Sequence, residues 1–148
     1  MKADPKHAVS QEIYELLKIK QDVKARDVLL VRDGTYLIGT CAIVTEKDQE
    51  MLYQSHLYKI RVNQNKIGLT PYLLLALLTC SVVQKQIRSK QFTQDIIDSL
   101  GERIHELVLP INKEQKELER ITNLVRSAVE LRIEARELAR EARAAVAA

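Results

Sequence analysis

Tryptophan is absent from this sequence, phenylalanine occurs once, and aromatics make up 4% of its 148 residues. Cysteine is scarce as well. Cys41 and Cys80 each lie inside an apolar run, which argues against a disulfide or a reactive nucleophile and for buried thiols in a reducing cytoplasm. Long hydrophobic runs are missing: the longest, Tyr72–Val83, is about a dozen residues, against the roughly 20 that a bilayer-spanning helix needs. No membrane span is expected. No signal peptide is recognisable, so the expected location is cytoplasmic. A strong charge excess is missing too, because a formal net charge of +3 does not by itself announce a nucleic-acid binder.

One absence is local. From residue 51 to residue 94 there is no aspartate or glutamate, while Lys59, Arg61, Lys66, Lys85, Arg88 and Lys90 all fall there. Gln54, Asn63, Gln64, Asn65, Gln84, Gln86, Gln91 and Gln94 share the tract. A basic, amide-rich surface suits phosphate contacts and base edges. The competing reading is a solvated face whose balancing acids come from elsewhere in the fold.

Catalytic signatures are missing. Gly34 and Gly39 have the glycine spacing of a phosphate-binding P-loop, but Thr40 stands where lysine is required and the following residues read as strand. His7, His56 and His105 are far apart and lack ligand-spaced partners, so no metal is expected. Glu114 and Lys116 form the tail of a nuclease-like pair with no suitable upstream Asp. There is no G-x-S-x-G, no Gly-rich cofactor loop, and no Asn/Asp-Pro-Pro-Tyr of the kind used at a flipped base. The expectation is a protein without catalytic residues or cofactor.

What is present is a chain long enough for one cored domain. Ser10 suits an N-cap for a helix carrying Ile13, Leu16 and Leu17 on one face, ending before Asp22. Val28–Val31 and Leu37–Val44 read as strands joined by the turn Arg32-Asp33-Gly34-Thr35. Ser55–Val62 alternates as a third strand, with Lys59 and Arg61 on one face. Thr70 and Pro71 open a helix that is apolar at its start and amphipathic by Gln84–Arg88. Gln91–Gln94 reads as a turn, residues 95–100 are ambiguous between strand and helical turn, and Ile104–Leu109 reads as a final strand before Pro110. The fold class is mixed α+β: a small mixed sheet with packed helices over residues 1–110, followed by a long helix over 111–148.

Asn112 and Gln115 suggest a capping box for that last helix. Leu118, Ile121, Val125, Ala128, Leu131, Ala135 and Leu138 step by three or four, one step short of a strict heptad. At about 1.5 Å per residue such a helix reaches about 50 Å, more than a body this small requires. The expectation is a helix that leaves the body and pairs with another helix; the competing reading is an ordinary capping helix.

Several segments together resemble the target-recognition domain of type I restriction–modification specificity subunits, and the equivalent module fused to adenine DNA methyltransferases. They are Asp27 to Thr35, Ile38-Gly39, Ser55-His56-Leu57, Pro71-Tyr72-Leu73 opening a helix that reaches Gln84 and Gln86-Ile87, and Leu107 to Pro110 followed by Glu114-Gln115 and a long helix. The resemblance covers roughly residues 10–125. It implies duplex-DNA recognition through surface loops and a long helix that pairs with a second such helix and docks a methyltransferase subunit. The implied DNA-facing residues are Arg32, Thr35 and Tyr36, then Gln84, Lys85, Arg88, Lys90, Gln91 and Thr93, beside Lys59 and Arg61 from the basic strand. The implied partners are double-stranded DNA, a methyltransferase subunit and a restriction subunit, or a second copy through the helix. Such a subunit normally carries two recognition domains and a longer segment before the hairpin, so this chain matches one incomplete copy.

Overall fold

The computed structural model describes residues 8–34, 36–94 and 97–147. Its centre is a three-stranded antiparallel sheet in the order β2-β1-β3, formed by β1 (Val28–Val31), β2 (Cys41–Ile43) and β3 (Leu57–Ile60). Val28 and Leu30 are fully buried and alternate onto one face. There they meet Leu74 and Leu78 of α2 (Pro71–Thr79) and Val83 and Ile87 of α3 (Ser81–Lys90). The mixed α+β reading therefore holds, with an antiparallel sheet.

The expected single helix from Pro71 is two helices. Thr70 caps α2 by accepting from the Leu73 N–H at 3.1 Å, with Pro71 in the first turn as expected. At Cys80 the backbone turns extended, with ψ of 152°. Thr79 donates its hydroxyl to the Leu75 carbonyl at 2.8 Å, a side-chain bond that competes with helix propagation. Gln84 then donates to the freed Leu78 carbonyl at 2.8 Å. The greasy start and wet end of the sequence pattern are thus separate helices.

The first hairpin also differs from expectation. Gly34 has φ of +137°, as its turn role requires, but β2 does not begin until Cys41. Residues 32–34 leave β2 for a second layer: Asp33 bridges Ser99, the Leu100 N–H donates to Arg32 O at 3.0 Å, and Gly34 N–H to Asp98 O at 2.9 Å. That layer is a two-stranded sheet of β4 (Phe92–Gln94) and β5 (Ile97–Ser99). The expected turn at Gln91–Gln94 is therefore mostly strand. The loop returns to α3 at Gly39, whose φ is +86° and where an added Cβ would lie 3.1 Å from Ile87 Cγ2 and 3.2 Å from Gln84 Oε1. Gly39→Ala is expected to cost about 1–3 kcal/mol, from backbone strain and crowding together; urea unfolding measures it.

The expected strand Ile104–Leu109 is instead a 3-10 helix, Gly101–Glu106, followed by irregular chain. Its apolar residues do reach the core, where Ile104, Leu107 and Leu109 pack. What the segment lacks is a partner strand. The Gln86 side-chain amide takes that place, donating to Val108 O at 2.8 Å and accepting from the Val108 N–H at 2.9 Å.

The last helix, α4, runs Gln115–Ala147. Asn112 does not cap it directly: its side chain accepts from the Glu114 N–H, and the Glu114 carbonyl receives the first helical bonds. The Gln115 amide reaches forward to Glu119 and does not close a capping box. Nor does α4 leave the body. Leu118 is buried against Leu73 and Leu77, Thr122 meets Thr70 at 3.1 Å, and Arg126 lies over the Tyr72 ring. Farther along, Arg136 donates to Asp48 at 3.0 Å and Glu137 pairs with Lys47 at 3.1 Å. A division at residue 110 would separate Leu118 and Ile121 from Leu73 and Leu77, which share one apolar cluster.

α1 (Gln11–Gln21) is capped by Ser10 as expected, but buries none of its residues. Ile13 and Leu16 are exposed, and only Leu17 of the expected face is half-buried. The helix is held at its C-terminal end, where Gln21 exchanges two hydrogen bonds with the Tyr53 backbone.

Candidate nucleic-acid interface

The loop after β1, the C-terminal half of α3 and the β4–β5 hairpin meet at one corner, joined through Gly39, Asp33 and Gly34 as described above. At its root lies Asp33, whose side chain is only 7% exposed. Its carboxylate accepts from Arg32 Nε at 3.0 Å and the Ser99 hydroxyl at 2.5 Å, with His56 Nδ1 at 3.4 Å. Burial opposes ionisation, but the bonds from Ser99, Arg32 and His56 outweigh it and hold the carboxyl below its ordinary range. The resulting charge pins the Arg32 guanidinium, which also lies over the Tyr58 ring at 5.9 Å. The Tyr58 hydroxyl donates to Gly101 O and ties β3 to the same corner. Among the described residues Arg32 bonds through Nε, and its Nη donors have no hydrogen bond.

Beyond this root the loop is open. Tyr36 is 93% exposed and Leu37 63%; Thr35 lies outside the described residues. On α3, Lys85 and Arg88 are exposed and make no ion pair among the described residues. With Arg32 they are cations available at the corner.

Most other expected contacts are committed internally. Gln84 is part-buried and bonded to Gly39 O and Leu78 O, both at 2.8 Å. Lys90 pairs with Glu106 at 2.8 Å, Gln91 is half-buried, and Thr93 donates to Asp98 at 2.9 Å. Lys59 and Arg61 are redirected altogether. Lys59 Nζ donates to the carbonyls of Gln21 and Asp22, and Arg61 joins Asp22 at 2.6 Å to Asp27 at 2.7 Å. Both serve the α1–β1 junction, because the C-terminal carbonyls of α1 need donors. The acid-free tract is therefore partly balanced from outside: Asp22, Asp27 and Glu106 neutralise Arg61 and Lys90.

The expected helix-pairing residues fall on two faces of α4. Leu118, Ile121 and Val125 turn toward the body, whereas Ala128, Leu131, Ala135 and Leu138 are exposed. The short step from Ala128 to Leu131 is where the pattern changes face. The outer stripe begins at Leu124, which lies seven residues before Leu131 as Leu131 lies before Leu138; Leu124, Leu131 and Leu138 are 57%, 65% and 57% exposed. That spacing was visible in the sequence but was masked by the inward set.

Among the described residues no group of three His, Cys, Asp or Glu side chains is placed to hold a metal ion, and no helix is long and apolar enough to cross a membrane. Burial pushes the Cys41 thiol up to about 12, far from a nucleophilic thiolate at neutral pH. Comparison with protein-family models, curated proteins and solved structures finds no match to this chain.

Proposed function

We propose that the chain is a non-catalytic duplex-DNA recognition module of the restriction–modification type, acting for a methyltransferase or endonuclease partner in the cytoplasm. The observation that carries this reading is the corner itself. Among the described residues Lys85 and Arg88 have no ion pair there and the Nη donors of Arg32 have no hydrogen bond, while Tyr36 projects from the adjoining loop. In this role Lys85 and Arg88 contact phosphates, and the Arg32 fork reads a base edge, as arginine does with guanine. Gln84, Lys59 and Arg61 are not assigned DNA contacts, because their polar groups already hold the fold together. The test is salt-dependent binding to duplex DNA, set out in the Discussion.

A second reading is supported by a separate feature. Leu124, Leu131 and Leu138, with Ala128 and Ala135 between them, form an exposed 4-3 stripe along α4, the pattern of a helix-pairing seam. In this reading assembly through α4, as a homodimer or with a methyltransferase subunit, is the main activity. Sedimentation of the wild type against Leu131→Glu/Leu138→Glu tests the homodimer. A dimer that becomes monomeric, with the melting temperature nearly unchanged, is expected. A wild-type monomer removes self-pairing.

A further inference from the structure

β2 is the outer strand of its sheet, paired with β1 on one side only. The Val31 N–H donates to Thr40 O at 2.9 Å and the Val44 N–H to Asp27 O at 2.8 Å. In an antiparallel ladder this alternation turns Thr40, Ala42 and Val44 toward β1, and turns the N–H and C=O groups of Cys41 and Ile43 outward. Among the described residues those outward groups have no backbone partner. An open edge of this kind is a template for another strand. α4 passes beside it without filling the space, which leaves a cavity of about 650 Å³ between β2, the segment 45–51, Leu75 and α4.

The cavity has the chemistry of a binding slot. Leu29, Val129 and Ile133 give it apolar walls, and α4 supplies Arg132, Arg136 and Arg140. Arg136 spends Nη1 on Asp48 and Nε on Glu137. Its Nη2 is buried with no hydrogen-bond partner among the described residues, a donor that an arriving acceptor would satisfy. With Lys47 included, the lining cations outnumber the acids Asp48 and Glu50 even when Glu137, which pairs Lys47, Arg136 and Arg140 from beside the slot, is counted with them. The outward amides of Cys41 and Ile43 lie two residues apart, about 6.7 Å at the rise of a strand. That spacing matches the repeat of an extended peptide and has no counterpart in a small anion.

We propose that this slot receives an extended acidic peptide segment of a partner protein, which adds to β2 as a further strand and sets a carboxylate against Arg132 and Arg136. Main-chain bonds to Cys41 and Ile43 supply affinity, and the arginines select for acidic side chains.

The full chain is titrated with an N-acetylated hexapeptide of alternating valine and glutamate. Its two complementary analogues, N-methylated on one backbone edge or the other, and octanoate serve as comparisons. Saturable binding of the peptide is expected, with amide exchange at Cys41 and Ile43 slowed about tenfold or more and Ala42, already bonded to β1, unaffected. One N-methylated analogue should bind at least about tenfold more weakly and the other like the parent. Arg132→Gln, at an exposed side chain without an ion pair among the described residues, should weaken binding by about threefold to tenfold. No saturable binding, equal binding by both analogues, or unchanged exchange at Cys41 and Ile43 overturns the proposal. Octanoate binding with an inert peptide overturns it too, and assigns the cavity to small amphipathic anions.

Discussion

Replacement of Asp27 by alanine is expected to destabilise the protein by about 2–4 kcal/mol, because it removes a buried carboxylate that accepts three hydrogen bonds and leaves the half-buried Arg61 guanidinium with Asp22 as its remaining acid. Asp27 is 1% exposed at the entry to β1. Its carboxylate accepts from Arg61 Nε at 2.7 Å, Arg61 Nη2 at 2.8 Å and the Lys24 N–H at 2.8 Å. Arg61 in turn holds Asp22 at the end of α1, so the loss spreads to the seat of that helix. The Asp27→Asn variant keeps the shape of the side chain but not its charge, and should lose less.

The same pair sets an acid dependence. Burial raises the Asp27 pKa, but the hydrogen bonds from Arg61 and Lys24 overcome this and leave it below the ordinary 3.8. A carboxyl whose folded-state pKa is depressed stabilises fully above its unfolded value, and that contribution fades as pH falls through the folded value. Urea unfolding of the wild type should therefore lose stability below about pH 4. Asp27→Ala should show a shallower acid limb, since it no longer carries the group.

Charge reversal at the proposed interface is the second large effect. Lys85→Glu/Arg88→Glu should lower affinity for duplex DNA by about a hundredfold at low salt, because two phosphate contacts become repulsive. Neither side chain makes an ion pair among the described residues and both are exposed, so the melting temperature should stay within a few degrees. Thermal unfolding and binding measured on the same preparation separate the two effects. A matched fall in stability would instead mark α3's outer face as structural.

Local chemistry was readable wherever a residue type dictates a backbone shape. Ser10 and Thr70-Pro71 do what their side chains impose, Gly34 takes the positive φ that its lack of a Cβ permits, and Val28–Val31 is the central strand its β-branched pattern indicates. What was not readable was partnership at long range. Nothing near Val108 tells that Gln86 will stand in for a strand. Nothing near Lys59 and Arg61 tells that Asp22, Asp27 and the end of α1 will occupy them. The basic tract looked like one surface because sequence shows charge without showing which acids fold onto it. α4 departs from its expected course for a related reason. Two apolar stripes on one helix, one inward through Leu118 and one outward through Leu131, overlap when read along the chain, and only packing separates them.

The proposed DNA-recognition corner comprises Arg32, Tyr36, Lys85 and Arg88. Its most direct measurement is the salt dependence of binding to random duplex DNA, with and without a methyltransferase partner, for the wild type and Lys85→Ala/Arg88→Ala. Affinity of the wild type should fall steeply with salt, with a slope shallower by about two in the variant, roughly one for each lost phosphate contact. No detectable affinity at low salt, with or without the partner, or an identical slope in both proteins, would contradict it.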